Sequence, residues 1–290
     1  MSKIALLDLR IPRSKTALMQ HLQNLLSGAE CPQWCGGEIR NERIWKFLLR
    51  MEERYPALTC SPRTRSYRRS HGYAAMHMVL WPVMSPSATS SADAPGLQRI
   101  HAALNPVPPD SWQWWILSSD GRGGLCDPAS EDARVAHNAI DAEHHMVYQD
   151  YVLLQRHKPV PVQICEPGGT LRTIWRGTST WTWMLRSAVL REIKAEISMR
   201  CRAGHDLGKL LALQRNRPLF AGVRTQVIEL HRYALDEARR ICPRLADELI
   251  PMRELKAKHL PAMVRLPVYD APPMRVRDVL ALGTSRDPQE

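Results

Sequence analysis

Residues 60–83, CSPRTRSYRRSHGYAAMHMVLWPV, join two kinds of sequence that serve different ends. The first half carries Arg63, Arg65, Arg68 and Arg69 around Tyr67, and the second is an apolar run that reads as a strand over 73–83. No Asp or Glu stands between Glu53 and Asp93, so these arginines have no carboxylate near them in sequence. Taken as extended chain, 62–71 puts Arg63, Arg65, Tyr67, Arg69 and His71 on one face, because successive side chains alternate. Cations interleaved with an aromatic ring supply phosphate contact and a stacking platform together, the combination a nucleic acid requires. The expected binding stretch is residues 63–71, with Arg63, Arg65, Tyr67, Arg69 and His71 on that face and Arg68 between them; the plainer reading is a solvated basic loop.

Upstream of this stretch, KIALLDLRI reads as a buried strand stopped by Pro12, and a helix follows from a Ser14 cap to Gly28. A second helix is expected over 39–54, where Ile44, Phe47, Leu48 and Met51 form one stripe. Downstream, MSPSATSSADAPG (84–96) has no periodicity and reads as a loop or connection, and SWQWWILSS (111–119) alternates as a strand before a DGRGG turn. The pattern then predicts a helix over about 130–156. A hairpin is expected around Pro167, Gly168 and Gly169.

From Ser179 the apolar residues Trp181, Leu185, Val189, Ile193 and Ile197 recur every four positions up to Gly204, which predicts a long helix. A short helix capped by Asp206 and a long stripe from Phe220 to Ile241 follow, giving three helices with short connections, the pattern of a bundle. The expected fold is α+β: a mixed N-terminal sheet with packed helices, and a C-terminal three-helix bundle. The modules are 1–83, a linker at 84–96, 97–176 completing the sheet, 177–262 for the bundle, and an extended tail over 263–290.

Across the 290 residues, 40 Lys and Arg against 29 Asp and Glu leave a net charge of +11, a balance that favours polyanion partners. Charges at Asp8 and Arg10 interrupt the N-terminal apolar segment, and no uncharged run approaches the ~18 residues of a membrane span, so a cytoplasmic protein without membrane contact is expected. Seven cysteines, an odd number irregularly spaced, fit a reducing compartment.

Arg172 and Arg176, flanking Trp175 on the exit of the hairpin, form a second basic set that can reach the same ligand. On the helix expected over 130–156, His137, Asp141 and His144 or His145 would share one face as candidate metal ligands. A solvated helix face produces the same string, so no metal is assigned, and no cofactor motif is present: there is no Walker loop, dinucleotide fingerprint or GxSxG elbow. Arg200 and His205 resemble the arginine-x4-histidine motif of HEPN ribonucleases, with Cys201 departing from the usual polar residue that follows the arginine.

These features point to a nucleic-acid-binding protein that grips the phosphate backbone of RNA or DNA, as a non-catalytic part of a ribonucleoprotein or a DNA-binding factor of a plasmid or mobile element. One alternative is a metal-independent endoribonuclease using His71 or His77, of the CRISPR RNA-processing type, with whose ferredoxin-like halves the opening strand and helix are compatible, although that family's C-terminal glycine-rich loop is not visible here. Another is an interaction module whose helical bundle docks protein subunits or a second copy.

Overall fold

The computed structural model describes residues 6–84, 109–129, 131–165, 171–260, 267–269 and 274–281. The chain divides into two compact units, 1–144 with 264–290, and 145–263. Both helices and antiparallel sheets are present, so the α+β class holds.

The first unit is organised by a four-stranded antiparallel sheet in the order β2-β3-β1-β4, made of β1 (Gln33–Arg40), β2 (Met76–Val83), β3 (Ser111–Ser118) and β4 (His137–Asn138). Helix α1 (Lys15–Ser27) starts where the sequence indicates, with Ser14 Oγ accepting from Ala17 N at 3.2 Å. It buries Leu18, Leu22 and Leu25 and lies against β2. Helix α2 (Asn41–Arg54) seats Ile44, Leu48 and Met51 over β1 and β3. Its first turn is fixed by Trp112, fully buried, whose Nε1 donates to Asn41 Oδ1 at 2.8 Å. Burying such a ring stabilises by about 1.5–3 kcal/mol or more, and the indole N–H is satisfied rather than stranded.

Strand β1 was not anticipated, because Gly36 and Gly37 interrupt its pattern. A Cβ on Gly36 would sit 2.8 Å from the Trp114 carbonyl oxygen, so the neighbouring strand can approach only a glycine here. Cys31 and Cys35 are both buried, and burial pushes the Cys31 thiol up to about 11, so CPQWC serves the core.

The described part of the expected first strand is not one: Leu6–Asp8 is a turn, and Arg10 makes a single bridge to Arg275. Leu6 and Ile11 are buried, which explains the apolar run without a strand. The tail returns to this segment, with Ile11 N donating to Met274 O and Val276 N to Leu9 O, and then forms a short helix at Val276–Ala281. The expected linker lies outside the described residues from 85 onward.

The helix expected over about 130–156 is absent. A 3-10 turn at Glu131–Arg134 leads to β4, β5 (Met146–Tyr148) and the start of β6 (Tyr151–Cys165). Asn138 and Asp141 hold the turns between them: Ile140 N donates to Asn138 Oδ1, and His144 N to Asp141 O.

In the second unit β5, β6 and β7 (Leu171–Leu185) form an antiparallel sheet in that order, and β6 and β7 make the hairpin expected from the Pro-Gly-Gly turn, whose tip at 166–170 lies outside the described residues. Trp181 and Leu185 belong to β7, not to a helix. Residues four apart share a face in strands and helices alike, so the spacing did not discriminate. Helix α4 (Ser187–Ala203) follows and ends at Gly204 with φ +66°, the left-handed cap that glycine adopts without strain. Helix α5 (Gly208–Arg215) is preceded by Asp206, whose Oδ1 accepts from Gly208 N.

Helix α6 (Ala221–Ile241) buries Val223, Val227, Leu230, Ala234 and Ala238, and α7 (Pro243–Asp247) packs against it. Because α6 lies on β7 as well as α4, a free-standing three-helix bundle is not established; the helices form a layer on the hairpin's root. Among the described residues no helix is long and apolar enough to cross a membrane.

Candidate functional site

The arginine run is a helix, not an extended edge. Helix α3 (Pro62–Ser70) begins with Ser61 as N-cap, its Oγ accepting from Thr64 N at 3.1 Å, and with Pro62 in the first turn. It ends at Gly72, φ +75°, with Tyr73 N donating to Arg68 O. Arg68 and Arg69 fall in the last turn, where cations complement the negative end of the helix dipole. No residue of α3 is buried. Caps and dipole hold it, and its side chains contribute nothing to the core.

Helical geometry redistributes the expected face. Arg65, Arg68 and Arg69 now share the inner side, while Arg63, Tyr67 and His71 follow one another at four-residue steps on the outer side. Arg65 donates from Nη2 to Cys60 O at 3.2 Å, which pins the helix to the loop before it. Arg69 pairs with Glu30 at 2.7 Å, an exposed contact of roughly 0–1 kcal/mol, so a carboxylate remote in sequence does meet the run. The Nε atoms of Arg65 and Arg68 are buried without a hydrogen-bond partner.

On the outer side the Tyr67 and His71 rings lie 4.0 Å apart, and Tyr67 is 63% exposed. His71 Nδ1 sits 2.9 Å from Tyr67 O and 3.1 Å from Ser70 Oγ. Arg63 is exposed and has no partner among the described residues.

A third layer comes from the turn after β3. Gly121 has φ +133°, and a Cβ there would meet Ala74 N at 2.7 Å, so only glycine lets this turn close on 72–74. The closure is double: Arg122 N donates to Gly72 O and Ala74 N to Arg122 O. It sets the Arg122 guanidinium 4.6 Å from the Tyr73 ring centroid, with Arg68 at 5.1 Å from the same ring. Each such cation–π contact is worth ~0.5–1 kcal/mol at an exposed site.

Beside Gly123 and Gly124 an open cavity of about 690 Å³ is lined further by Arg50, Glu53, Arg54 and Asp127. Asp127 is held below the usual carboxylate range by hydrogen bonds from the backbone N–H groups of Gly123 and Ala129. Arg50 and Arg54 end a row with Arg43 and Lys46 along the exposed flank of α2, at i, i+3, i+7 and i+11. This row and Arg122 were not singled out in the sequence, although the α2 periodicity already contains the row. Arg122 could not be placed without the Gly121 closure.

His77, the other histidine considered for catalysis, is half-buried in β2, and burial pulls it down to about 3 with help from Arg65. His21 is pulled down to about 4 by burial, its Nε2 lying 3.2 Å from the Tyr269 hydroxyl. Both are neutral in the folded protein. Below their unfolded value of 6.5 the unfolded chain takes up protons that the folded chain refuses, so their contribution is complete above pH ~6.5 and is lost as pH falls toward ~4 and ~3. Thermal melts between pH ~7.5 and ~5 should show stability falling by up to about 2.7 kcal/mol per pH unit, and His77→Leu should halve the slope. An unchanged Tm across that range would contradict the buried neutral assignment.

The metal candidates do not assemble. The His137 and His144 rings stack at 4.7 Å, with Trp34 5.3 Å from His137, and Asp141 is 3.9 Å from His144. Among the described residues no group of three His, Cys, Asp or Glu is placed to hold an ion.

Arg200 binds Glu196 and the Asp206 carbonyl, and Gly204 ends α4 before His205, so the two motif residues are not on one continuous helix. Arg172 is exposed on β7; the side chain of Arg176 lies outside the described residues. No family model, curated protein or solved structure matches this chain.

Proposed function

We propose that this protein binds nucleic acid through its phosphate backbone, using the α3 surface with Arg63, Arg65, Tyr67, Arg68, Arg69 and His71, joined by Arg122. The observation that carries the reading is that α3 buries no side chain yet is capped at both ends. A helix that buries no residue in the core and presents Arg63 and an exposed ring pair, with Arg68 and Arg69 beside them, is accounted for by what it meets in solvent. Arg172 and Arg176 are a second contact in this proposal. The odd number and irregular spacing of the seven cysteines support a reducing, cytoplasmic setting in this proposal. The role is binding, as part of a ribonucleoprotein or as a DNA-binding factor of a mobile element.

Fluorescence anisotropy with labelled single-stranded RNA, hairpin RNA and duplex DNA tests this. Each neutralised phosphate releases counterion, so log K against log salt should have a slope of about −3 or steeper between about 50 and 200 mM salt. No binding, or a flat salt response, overturns the proposal and leaves an interaction module.

The exposed His71, with Arg122 Nη2 donating to its carbonyl at 3.2 Å, favours one second reading, cleavage of RNA through its 2′-hydroxyl by general base and cation. RNA cut in EDTA by wild type but not by His71→Ala would establish it; intact RNA leaves a binder.

A further inference from the structure

We propose that the β6–β7 hairpin is an arm that enters the major groove of duplex DNA. The inference rests on the nucleic-acid reading and names the ligand of its second contact. The two strands pair in unbroken antiparallel register from Tyr151↔Leu185 to Cys165↔Leu171, a ribbon of roughly 50 Å at about 3.4 Å per residue. Among the described side chains of the ribbon, burial is confined to the root, where Tyr151, Leu153, Trp181, Trp183 and Leu185 are buried, and β5 pairs no further than Leu153. Beyond His157↔Ser179 no described side chain is buried. A bare two-stranded ribbon is marginal in water, so a length this great is unexplained by the core it serves.

The charges follow the register. Neither strand contains Asp or Glu, and the cations Arg156, Lys158, Arg172 and Arg176 all have even numbers. The ladder opposes even to even, as Arg156↔Thr180, Lys158↔Thr178, Val160↔Arg176 and Ile164↔Arg172, so all four positions lie on one face. None stands directly opposite another, which avoids the closest like-charge repulsion. They span about 27 Å, with same-face steps of about 6.8 Å.

The other face has no Lys or Arg; its pairs include His157 and Ser179, joined at 2.7 Å, and Gln163 and Thr173. Pro159 and Pro161 remove two N–H donors from β6, which blunts that edge against adding a strand from a protein partner. A one-sided cationic ribbon fits an anionic groove wide enough for two strands. The B-DNA major groove, ~12 Å wide, admits a β-ribbon, whereas the A-form RNA major groove is too narrow for side chains to read.

The test compares wild type with Arg156→Gln/Lys158→Gln/Arg172→Gln/Arg176→Gln by anisotropy on about 20 base pairs of duplex DNA, the same duplex as RNA, and single-stranded DNA. Wild type should prefer duplex DNA over duplex RNA by at least about tenfold, and the variant should lose that preference while its salt slope on duplex DNA flattens by about 3.6, at about 0.9 per phosphate. Single-strand binding through α3 should persist in the variant. Equal affinity of wild type for the two duplexes, or a variant with wild-type DNA affinity, overturns the arm. Wild type binding single strands but neither duplex does so too, with the broader reading intact; no binding to any probe defeats the broader reading itself. Should the variant fail to fold, wild-type protection of guanine N7 from methylation decides, since that atom lies in the major groove; unprotected N7 counts against the arm.

Discussion

Replacing Arg63, Arg68, Arg69 and Arg122 together by glutamine should weaken single-stranded nucleic-acid binding several hundredfold at about 0.1 M salt, and flatten the salt slope by about 2.8, at about 0.7 per phosphate. These four are chosen because none carries the fold alone. Arg63 has no partner among the described residues, Arg69 forms one exposed ion pair, and Arg68 and Arg122 flank Tyr73; the exposed bond from Arg122 Nη2 to His71 O is backed by the two backbone bonds of the same turn, which the substitution leaves in place. Arg65 is kept, because its bond to Cys60 O holds α3 in place. Glutamine preserves the aliphatic stem that packs on the rings while removing the charge. The decisive comparison is salt dependence: a variant that loses affinity with an unchanged slope has lost packing rather than phosphate contacts. A variant binding like wild type would make the arginines solvated charge.

Where the sequence carried two independent signals, the fold was legible. Helix α1 has both an apolar stripe and Ser14 and Gly28 at its ends, and α6 has its stripe and Pro243, so both appear where expected. Helix α3 has no stripe because it buries nothing, and periodicity was blind to it. Its punctuation was present nonetheless: Ser61-Pro62 is an N-cap and first-turn pair, and Gly72 a C-terminal stop. Around 130–150 the apolar residues misled, since Val135, Ile140 and Val147 are all substantially exposed. For β7 the four-residue spacing of Trp181 and Leu185 fits either structure, and the β-formers in TSTWTW, 178–183, were the residues to weigh.

The candidate site was legible as a composition and not as a shape. The arginines of 63–69 stand together in the chain, so their charge is visible there. Which of them face outward depends on whether 62–70 is strand or helix, and that assignment sorts Arg65 to a structural contact and Tyr67 to an exposed stack. Arg122 joins through a closure that needs Gly121, and the α2 row joins through a cavity wall; both are tertiary facts.

Gly222→Ala gives the other large effect, because two ordinary arguments predict opposite signs. In the first turn of a 21-residue helix, alanine is the better helix former by about 1 kcal/mol, so propensity alone says the variant gains stability. Packing says otherwise: a Cβ at 222 would lie 2.5 Å from Trp183 O and 2.6 Å from the Met184 side chain. The helix cannot easily withdraw, since Gly222 N donates to Thr182 Oγ1 at 2.9 Å. One turn on, the buried Gln226 amide accepts from Leu185 N at 2.7 Å and donates to Leu185 O at 3.1 Å. Backing α6 away from β7 would strand these groups, each costing about 1–3 kcal/mol if left unpaired. The clash should therefore dominate, lowering stability by about 3 kcal/mol and Tm by roughly 10 °C in a thermal melt. A Tm equal to or above wild type would mean that α6 does not seat its first turn on β7, and the root of the β6–β7 hairpin would then lack the helix that anchors it.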